Sequence, residues 1–593
     1  MCGPLPDGCV GVDLDDHEAV SLSDGMGGYG GWLQVTSHVD GVGVGPVSLS
    51  QRRGCWACSR QRAWQGPPLG PSTDQAKALV NSPALSLVLE LLGHQRVNSG
   101  ELEVWHVGHL SGAVTRHQFL PDEHCPRCRV LPVVPLARQY VRPVLAHSEG
   151  SLRERDLVAE RDDWLGAFAD LRLGVVNRLY RNTSMSQVIA AYRDSCSPES
   201  TAYSCGNQAS FHSSDVASIA EAVERLAGAA PPQTVELRTA TYGQLDRSAA
   251  LDPRRLGLPL GSRPGSGPSE FDPTVEVAWV GGRSLTTGDP VMVPASVVYY
   301  HGHIHDHVAQ LMFETSNGCA AGATVDEASL HGALEVLERD AFLLAWYTRM
   351  PMRRVILNEG SSSAVRLVLD RIDDAGFDVE AYHVRTDHEL ACWWIVAVNR
   401  ATSGTGSRMV CGAGLSLDPE AGLLRALREL GPMAQSASYD DDIRAAQAAL
   451  MAADPWAVRT MEDHGTLYGG ADAVSRLDFF RGAQQESMSL GEVLNATPRP
   501  AESSIPFALK WLVERLQAVG LEVIVAEQPS FEAAAAGIKC VKVIIPDTIP
   551  MTFGYHARRL HGLRRLYELP VTLGYASQPL AAHDLNPHPH PFP

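Results

Sequence analysis

The sequence predicts an α+β protein, and three observations support this. Some segments carry apolar residues at helical spacing and others short β-branched runs. The two kinds are mixed without a strict strand-helix-strand alternation. The chain has 593 residues, too long for one ordinary core, so two or three domains are expected.

Residues 1 to about 150 are rich in glycine and short strand-like runs and hold two CxxC pairs, which marks them as a compact accessory α/β domain (1–150) before a larger one (151–593). A charged helical stretch, Ser151 to Leu171, leads into the larger domain, and a helical pattern follows from Ser213 to Leu226. Between Asp252 and Pro273 proline and glycine are so frequent that neither helix nor central strand can persist. Strands are expected at Val275–Val280 and Val291–Tyr300, then a helix from Asp326 to Tyr347. Trp393–Val398 and Met409–Ser416 read as strands, Pro419–Leu430 and Pro506–Val519 as helices, and Glu522–Ala526 and Val541–Ile545 as strands.

The composition is 45% hydrophobic and 20% charged, ordinary for a globular protein, without the apolar run of roughly 18 residues that a membrane helix needs. Met1 to Val10 has neither a basic flank nor an apolar stretch, so no signal peptide is expected, and the location is expected to be cytoplasmic. A net charge of -19 with no Lys/Arg stripe to offset it argues against a nucleic-acid partner. A nucleotide held through metal ions is compatible with that charge.

Two segments repeat one pattern. Glu221-Ala-Val-Glu224-Arg225 and Glu335-Val-Leu-Glu338-Arg339 are both ExxER. Residues three apart on a helix lie about 60° apart, so each segment presents two carboxylates to one side. Glu327 falls within about 20° of Glu338 around the second helix, so a third carboxylate can converge there. Acids this close are unfavourable without a cation, and the apolar, small-residue flanks of the second segment make unpaired acids costly. Magnesium fits, because it binds through a few carboxylates together with waters and phosphate oxygens. Arg339 could then meet the phosphates with its planar fork of donors. The competing reading is two solvated faces with ordinary intrahelical pairs.

Ser316-Asn-Gly-Cys-Ala-Ala-Gly322, Asp326-Glu-Ala and Leu334 to Ala341 resemble the signature of YcaO-domain proteins, and Gly206 to Arg225 resembles that family's other acidic helix. The resemblance continues through Gly412 to Pro419, Arg425-Ala-Leu-Arg-Glu429 and Pro546 to Arg565. It implies an ATP-dependent cyclodehydratase with a YcaO fold, acting on Cys, Ser or Thr of a ribosomally made precursor peptide to give azolines. It implies that Glu221, Glu224, Glu327, Glu335 and Glu338 hold ATP-bound magnesium, that Ser316 and Arg339 contact the nucleotide, and that Glu335 and Arg339 are catalytic. Two departures stand out: Ala323 replaces an Asn or Gln usual in the second motif, and Asn207 a Lys common in the first.

The chain ends Asn586-Pro-His-Pro-His-Pro-Phe-Pro593, and alternating prolines favour an extended, pre-organised strand. An unstructured tail is the competing reading. The ending resembles the Pro-x-Pro terminus of azoline-forming YcaO proteins, which implies that Pro593 reaches the active site and assists ring formation.

Of the twelve cysteines, Cys55-Trp-Ala-Cys58 and Cys125-Pro-Arg-Cys128 have the spacing that lets four thiolates close a structural zinc site, while His124 reads as an ordinary loop residue. Val42–Trp64 and Val104–Cys128 resemble the zinc-bearing part of the ubiquitin-activating-enzyme-like domain fused to YcaO in many peptide cyclodehydratases. So little precedes the first pair that a separate leader-peptide-binding protein is expected to dock on this domain, an arrangement similar to thiopeptide pathways in antibiotic biosynthesis. The resemblance also implies a homodimer and a downstream azoline dehydrogenase. A non-catalytic scaffold and a thioamide- or amidine-forming enzyme stay open as alternatives.

Overall fold

The computed structural model describes residues 152–592, apart from 184, 194–199, 260–270, 301–310, 358–359, 402–406, 438–441 and 482–486. Nearer the N terminus it describes 11–12, 19–22, 31–38, 41–49, 56–62, 102–108, 113–122 and 125. Helices and sheets are mixed as the α+β expectation has it.

The N-terminal strands Gly11–Val12, Ala19–Leu22, Gly31–His38, Gly41–Leu49, Glu103–Gly108 and Val114–Gln118 form one antiparallel sheet in chain order. A short helix, Trp56–Arg62, follows the fourth strand. Arg62 pairs with Glu532 and donates to Pro121 O at 3.1 Å. His117 lies 3.0 Å from Asp170, so polar side-chain contacts join this sheet to the rest of the chain.

The helix expected over Ser151 to Leu171 is confined to Arg161–Phe168. The reason is tertiary: Arg155 is buried, binds Glu160 at 2.8 Å and donates to Ala536 O and Gly537 O at 2.9 and 3.0 Å. Those contacts hold the preceding residues out of helical geometry. The strand expected over Val291–Tyr300 stops at Pro294, and Ala295–Val298 form one helical turn, because proline offers no ladder donor. Within Asp252–Pro273 the described residues form only a short turn, Pro253–Leu256, and a two-residue strand.

Two larger sheets build the centre. One runs Arg238–Thr241, Glu276–Ser284, Ile524–Glu527, Lys539–Ile544, Cys319–Gly322; the other runs Met409–Leu415, Cys392–Asn399, Phe377–Val384, Arg353–Ile356, Ser487–Ser489. The second acidic helix, Val325–Thr348, packs against strands of both and is buried on nearly every side. Thr324 starts it by accepting from Glu327 N at 3.2 Å, the usual N-cap contact. The first acidic helix, Phe211–Ala229, covers the three-stranded sheet Val176–Asn182, Gln187–Arg193, Thr201–Asn207 and also packs on Cys319–Gly322 and Lys539–Ile544. Both acidic helices therefore dock on the same pair of strands.

Gly332 permits the close approach. A Cβ there would lie 2.6 Å from the Val543 side chain and 2.8 Å from Gly318 O. Replacing a mid-helix glycine by alanine ordinarily stabilises by about 1 kcal/mol. Here the clash should reverse the sign, and Gly332→Ala is expected to destabilise by about 1–3 kcal/mol in urea denaturation. A stabilised variant would show that the helix does not press on the strand.

Candidate active site

The shared docking surface brings the acids to one cavity of about 1460 Å³. Its lining includes Glu221 and Glu224 from the first helix, Glu327, Glu335 and Arg339 from the second, and Ser316 from the loop before Cys319–Gly322. Glu338 is buried behind them at 2% exposure. The structure thus gathers the acids of both ExxER segments around one space.

Each carboxylate is held differently. Glu221 pairs with Arg225 at 2.8 Å and accepts from Cys205 N at 2.8 Å. Glu338 accepts from Leu415 N at 2.9 Å, where the Met409–Leu415 strand ends, and lies 3.9 Å from both Arg339 and Arg425. Glu327 is engaged with its own surroundings: Arg153 donates to it at 3.0 Å, Glu154 N at 3.1 Å and Ala323 N at 3.2 Å. In this structure it braces the start of its helix.

Burial, then the charges of Glu335 and Glu221, pushes Glu224 well above the usual carboxylate range. Burial likewise raises Glu335, against the pull of Arg339 and Arg425 and with the push of Glu338. The first helix feels the second, so the two are within electrostatic reach across the cavity.

Arg425 and Glu429 belong to the same network, though no site role was read for them in the sequence. They sit one turn apart on Pro419–Ala437, 3.5 Å from each other, with Arg425 bridging to Glu338. Burial raises Glu429 to about 7 despite Arg425. An Arg and Glu four apart read in sequence as a routine surface pair; their place in the cavity wall, with Arg425 3.9 Å from Glu338, distinguishes them.

Among the described residues no three His, Cys, Asp or Glu side chains converge as a ready metal cage. Magnesium needs no such cage, since it keeps waters and takes nucleotide oxygens beside one or two carboxylates. The donors present fit that group. Glu338 Oε1, Asn207 Oδ1 and Asn317 Oδ1 are buried without a hydrogen-bond partner, and Arg225, Arg339 and Arg425 supply positive charge for phosphates. The departures noted in the sequence fall inside the cavity: Asn207 contributes one of the unpartnered oxygens, and Ala323 lines it while its N–H donates to Glu327.

Of the cysteine pairs, Cys58 and Cys125 are fully buried in one small cluster with Ala57, Val104, Phe119 and Leu173. Cys55, Cys128 and His124 lie outside the described residues, as does Pro593. The preceding tail is well placed in the core: Phe592 stacks on Phe342 at 3.6 Å, and Arg339 lies over the same ring at 5.9 Å.

Residues 205–549 match the family described as YcaO cyclodehydratase, ATP- and Mg2+-binding, more than half of the chain, and the protein belongs to that family. Among curated relatives, an uncharacterized protein of Methanothermobacter thermautotrophicus is 28% identical over 271 residues, 45% of this chain and 67% of that protein. An uncharacterized protein of Mycobacterium tuberculosis is 30% identical over 225 residues, 38% of this chain and 48% of that one. The chain thus spans 67% and 48% of these two relatives' own lengths. A solved heterocyclase in complex with substrate and cofactor matches with a TM-score of 0.72 at 21% identity, over 95% of this chain and 78% of that one. The heterocyclase TruD matches at 0.63 and 21% identity, over 95% and 75%. At such identities these structures establish a shared fold. No helix among the described residues is long and apolar enough to cross a membrane.

A carboxylate raised in the folded state binds its proton more tightly folded than unfolded, so its contribution is neutral below the ordinary value of 4.5 and increasingly destabilising as pH rises above it. Glu224→Gln removes that penalty. Without magnesium or nucleotide, the variant's Tm is expected to exceed the wild type's at pH 8 and to match it near pH 4.5; equal values at both would deny that Glu224 is strained.

Proposed function

We propose that the chain is an ATP- and magnesium-dependent cyclodehydratase that turns Cys, Ser or Thr residues of a ribosomally made peptide into thiazolines or oxazolines. The observation that carries this is the convergence of Glu221, Glu224, Glu327 and Glu335 from two helices on one cavity, an arrangement of acids that a cation bridging to nucleotide phosphates would neutralise. The cavity also exceeds the roughly 1,000 Å³ upper bound of ordinary small-molecule pockets, which supports room for a peptide beside a nucleotide.

Glu221, Glu224, Glu335 and Glu338 would hold magnesium, joined by Glu327 where Arg153 turns to the phosphates. When bound, the metal supplies neutralisation of the charge that develops during phosphoryl transfer. Arg339 and Arg425 orient the phosphates, and Ser316 contributes a hydroxyl at the cavity wall. The substrate side chain attacks the preceding carbonyl carbon, ATP phosphorylates the resulting oxygen to give ADP, and that oxygen leaves as phosphate as the C=N bond forms. The net change in the peptide is loss of one water. The chain's part is to place these groups and exclude bulk water, with Pro593 at the end of the tail assisting proton removal.

Nearer the N terminus, a structural zinc held by Cys55, Cys58, Cys125 and Cys128 belongs to the same reading; Cys58 and Cys125 share one buried cluster. The same region is proposed to dock a separate leader-binding protein, with a homodimer as the working assembly and an azoline dehydrogenase acting afterwards. A non-catalytic scaffold is the second reading, favoured by the two departures that line the cavity, Ala323 and the neutral Asn207 where a Lys is common.

The decisive assay is mass spectrometry of a candidate precursor with ATP, magnesium and the leader-binding partner. Loss of one water per modified residue, with equivalent phosphate release, is expected. Glu335→Ala should lower the rate by at least about 100-fold. Oxygen-to-sulfur exchange would point to thioamide formation, and absence of peptide-dependent phosphate release to a scaffold.

A further inference from the structure

The C-terminal segment is secured mainly by side chains from two helices. Prolines at 587, 589 and 591 remove backbone donors, and the carbonyls between them are met one by one. Trp346 Nε1 donates to His588 O at 3.0 Å, the Tyr468 hydroxyl to Pro589 O at 2.6 Å, and His464 Nδ1 to His590 O at 2.8 Å.

His464 differs from the other two donors because it also holds a second segment. Its Nε2 accepts from Gly554 N at 3.0 Å. A ring that donates from Nδ1 and accepts at Nε2 is neutral and fixed in one tautomer, and burial, which depresses its pKa to about 4, keeps it so. The contact is reinforced: the ring stacks on His590 at 4.1 Å, and His590 Nε2 donates to Thr552 O at 2.9 Å. Gly554 has φ 88°, and a Cβ there would meet Arg459 O at 2.6 Å, so this turn has little freedom to move alone.

Both segments border the candidate site. Met551 and Phe553 line the cavity, and Phe592 stacks on the ring beneath Arg339. We propose that His464 is a positioning residue: one imidazole couples the C-terminal segment to Met551–Gly554 and so sets where that segment, up to Phe592, lies relative to Arg339 and the carboxylates. This rests on the function proposed above, in which the end of the chain takes part in the reaction.

The test compares His464→Phe, which keeps a ring against His590 but loses both hydrogen bonds, with His464→Gln, whose amide can donate and accept. In the full-length protein with peptide, partner, ATP and magnesium, His464→Phe is expected to lower kcat by about 10- to 100-fold with KM for ATP within about twofold, and His464→Gln to recover most of it. In hydrogen exchange, the Gly554 amide should exchange at least about tenfold faster in His464→Phe and near the wild-type rate in His464→Gln. Unchanged exchange overturns the coupling, and faster exchange with undiminished kcat overturns the positioning role. If His464→Phe fails to fold, Tyr468→Phe, which frees Pro589 O and removes the hydroxyl's contact with Arg476 but leaves His464 in place, should lower kcat by about threefold or more and leave Gly554 exchange unchanged; undiminished kcat overturns the proposal. Should the wild-type protein show no peptide turnover, the function reading fails by itself, while the exchange result still judges the coupling.

Discussion

Like-charged carboxylates forced together at one cavity are the constraint on which the rest of this structure depends. Glu221 and Glu224 arrive on one helix and Glu335 and Glu338 on another, and both helices dock on Cys319–Gly322 and Lys539–Ile544. The fold could not be relaxed by turning one helix away without uncovering the core that both complete. The repulsion is therefore built in, and either a bound proton or a cation relieves it.

The surrounding elements limit how the acids can respond. Leu415 N and the guanidinium groups of Arg339 and Arg425 flank Glu338, while Arg225 ties Glu221. These contacts leave Glu338 Oε1 near a guanidinium but without a hydrogen-bond donor. Such an arrangement costs stability in the empty protein and is retained where binding repays it. From the other side, the C-terminal segment is seated on Phe342, one turn beyond Glu338 on the same helix, so the tail and the acids share one rigid support.

Much of this was legible in the sequence, and for identifiable reasons. The second acidic helix announced itself through an apolar, small-residue context around regularly spaced acids, and its observed span, Val325–Thr348, exceeds the expected one by a residue at each end. The strands Cys392–Asn399 and Met409–Leu415 were visible as continuous apolar runs. What could not be read depended on distant contacts. Arg155 ends a helix that local charge pattern favoured. Glu327 shares a helical face with Glu338 but is occupied by Arg153 and two backbone amides. Arg425 and Glu429 look like a surface pair until their place in the cavity wall beside Glu338 is known. His464 carries no motif at all; its significance comes from two segments, around residues 554 and 590, that only the fold brings to it.

The central claim is that magnesium and nucleotide relieve the carboxylate cluster, and proton linkage measures this directly. Acids raised by burial and mutual repulsion give up protons when a cation displaces them. Titration calorimetry of ATP with magnesium at pH 6, in two buffers of different ionisation enthalpy, should show net proton release by the wild-type protein and no ATP binding once magnesium is chelated. Nucleotide binding that persists without magnesium and releases no protons would contradict the account.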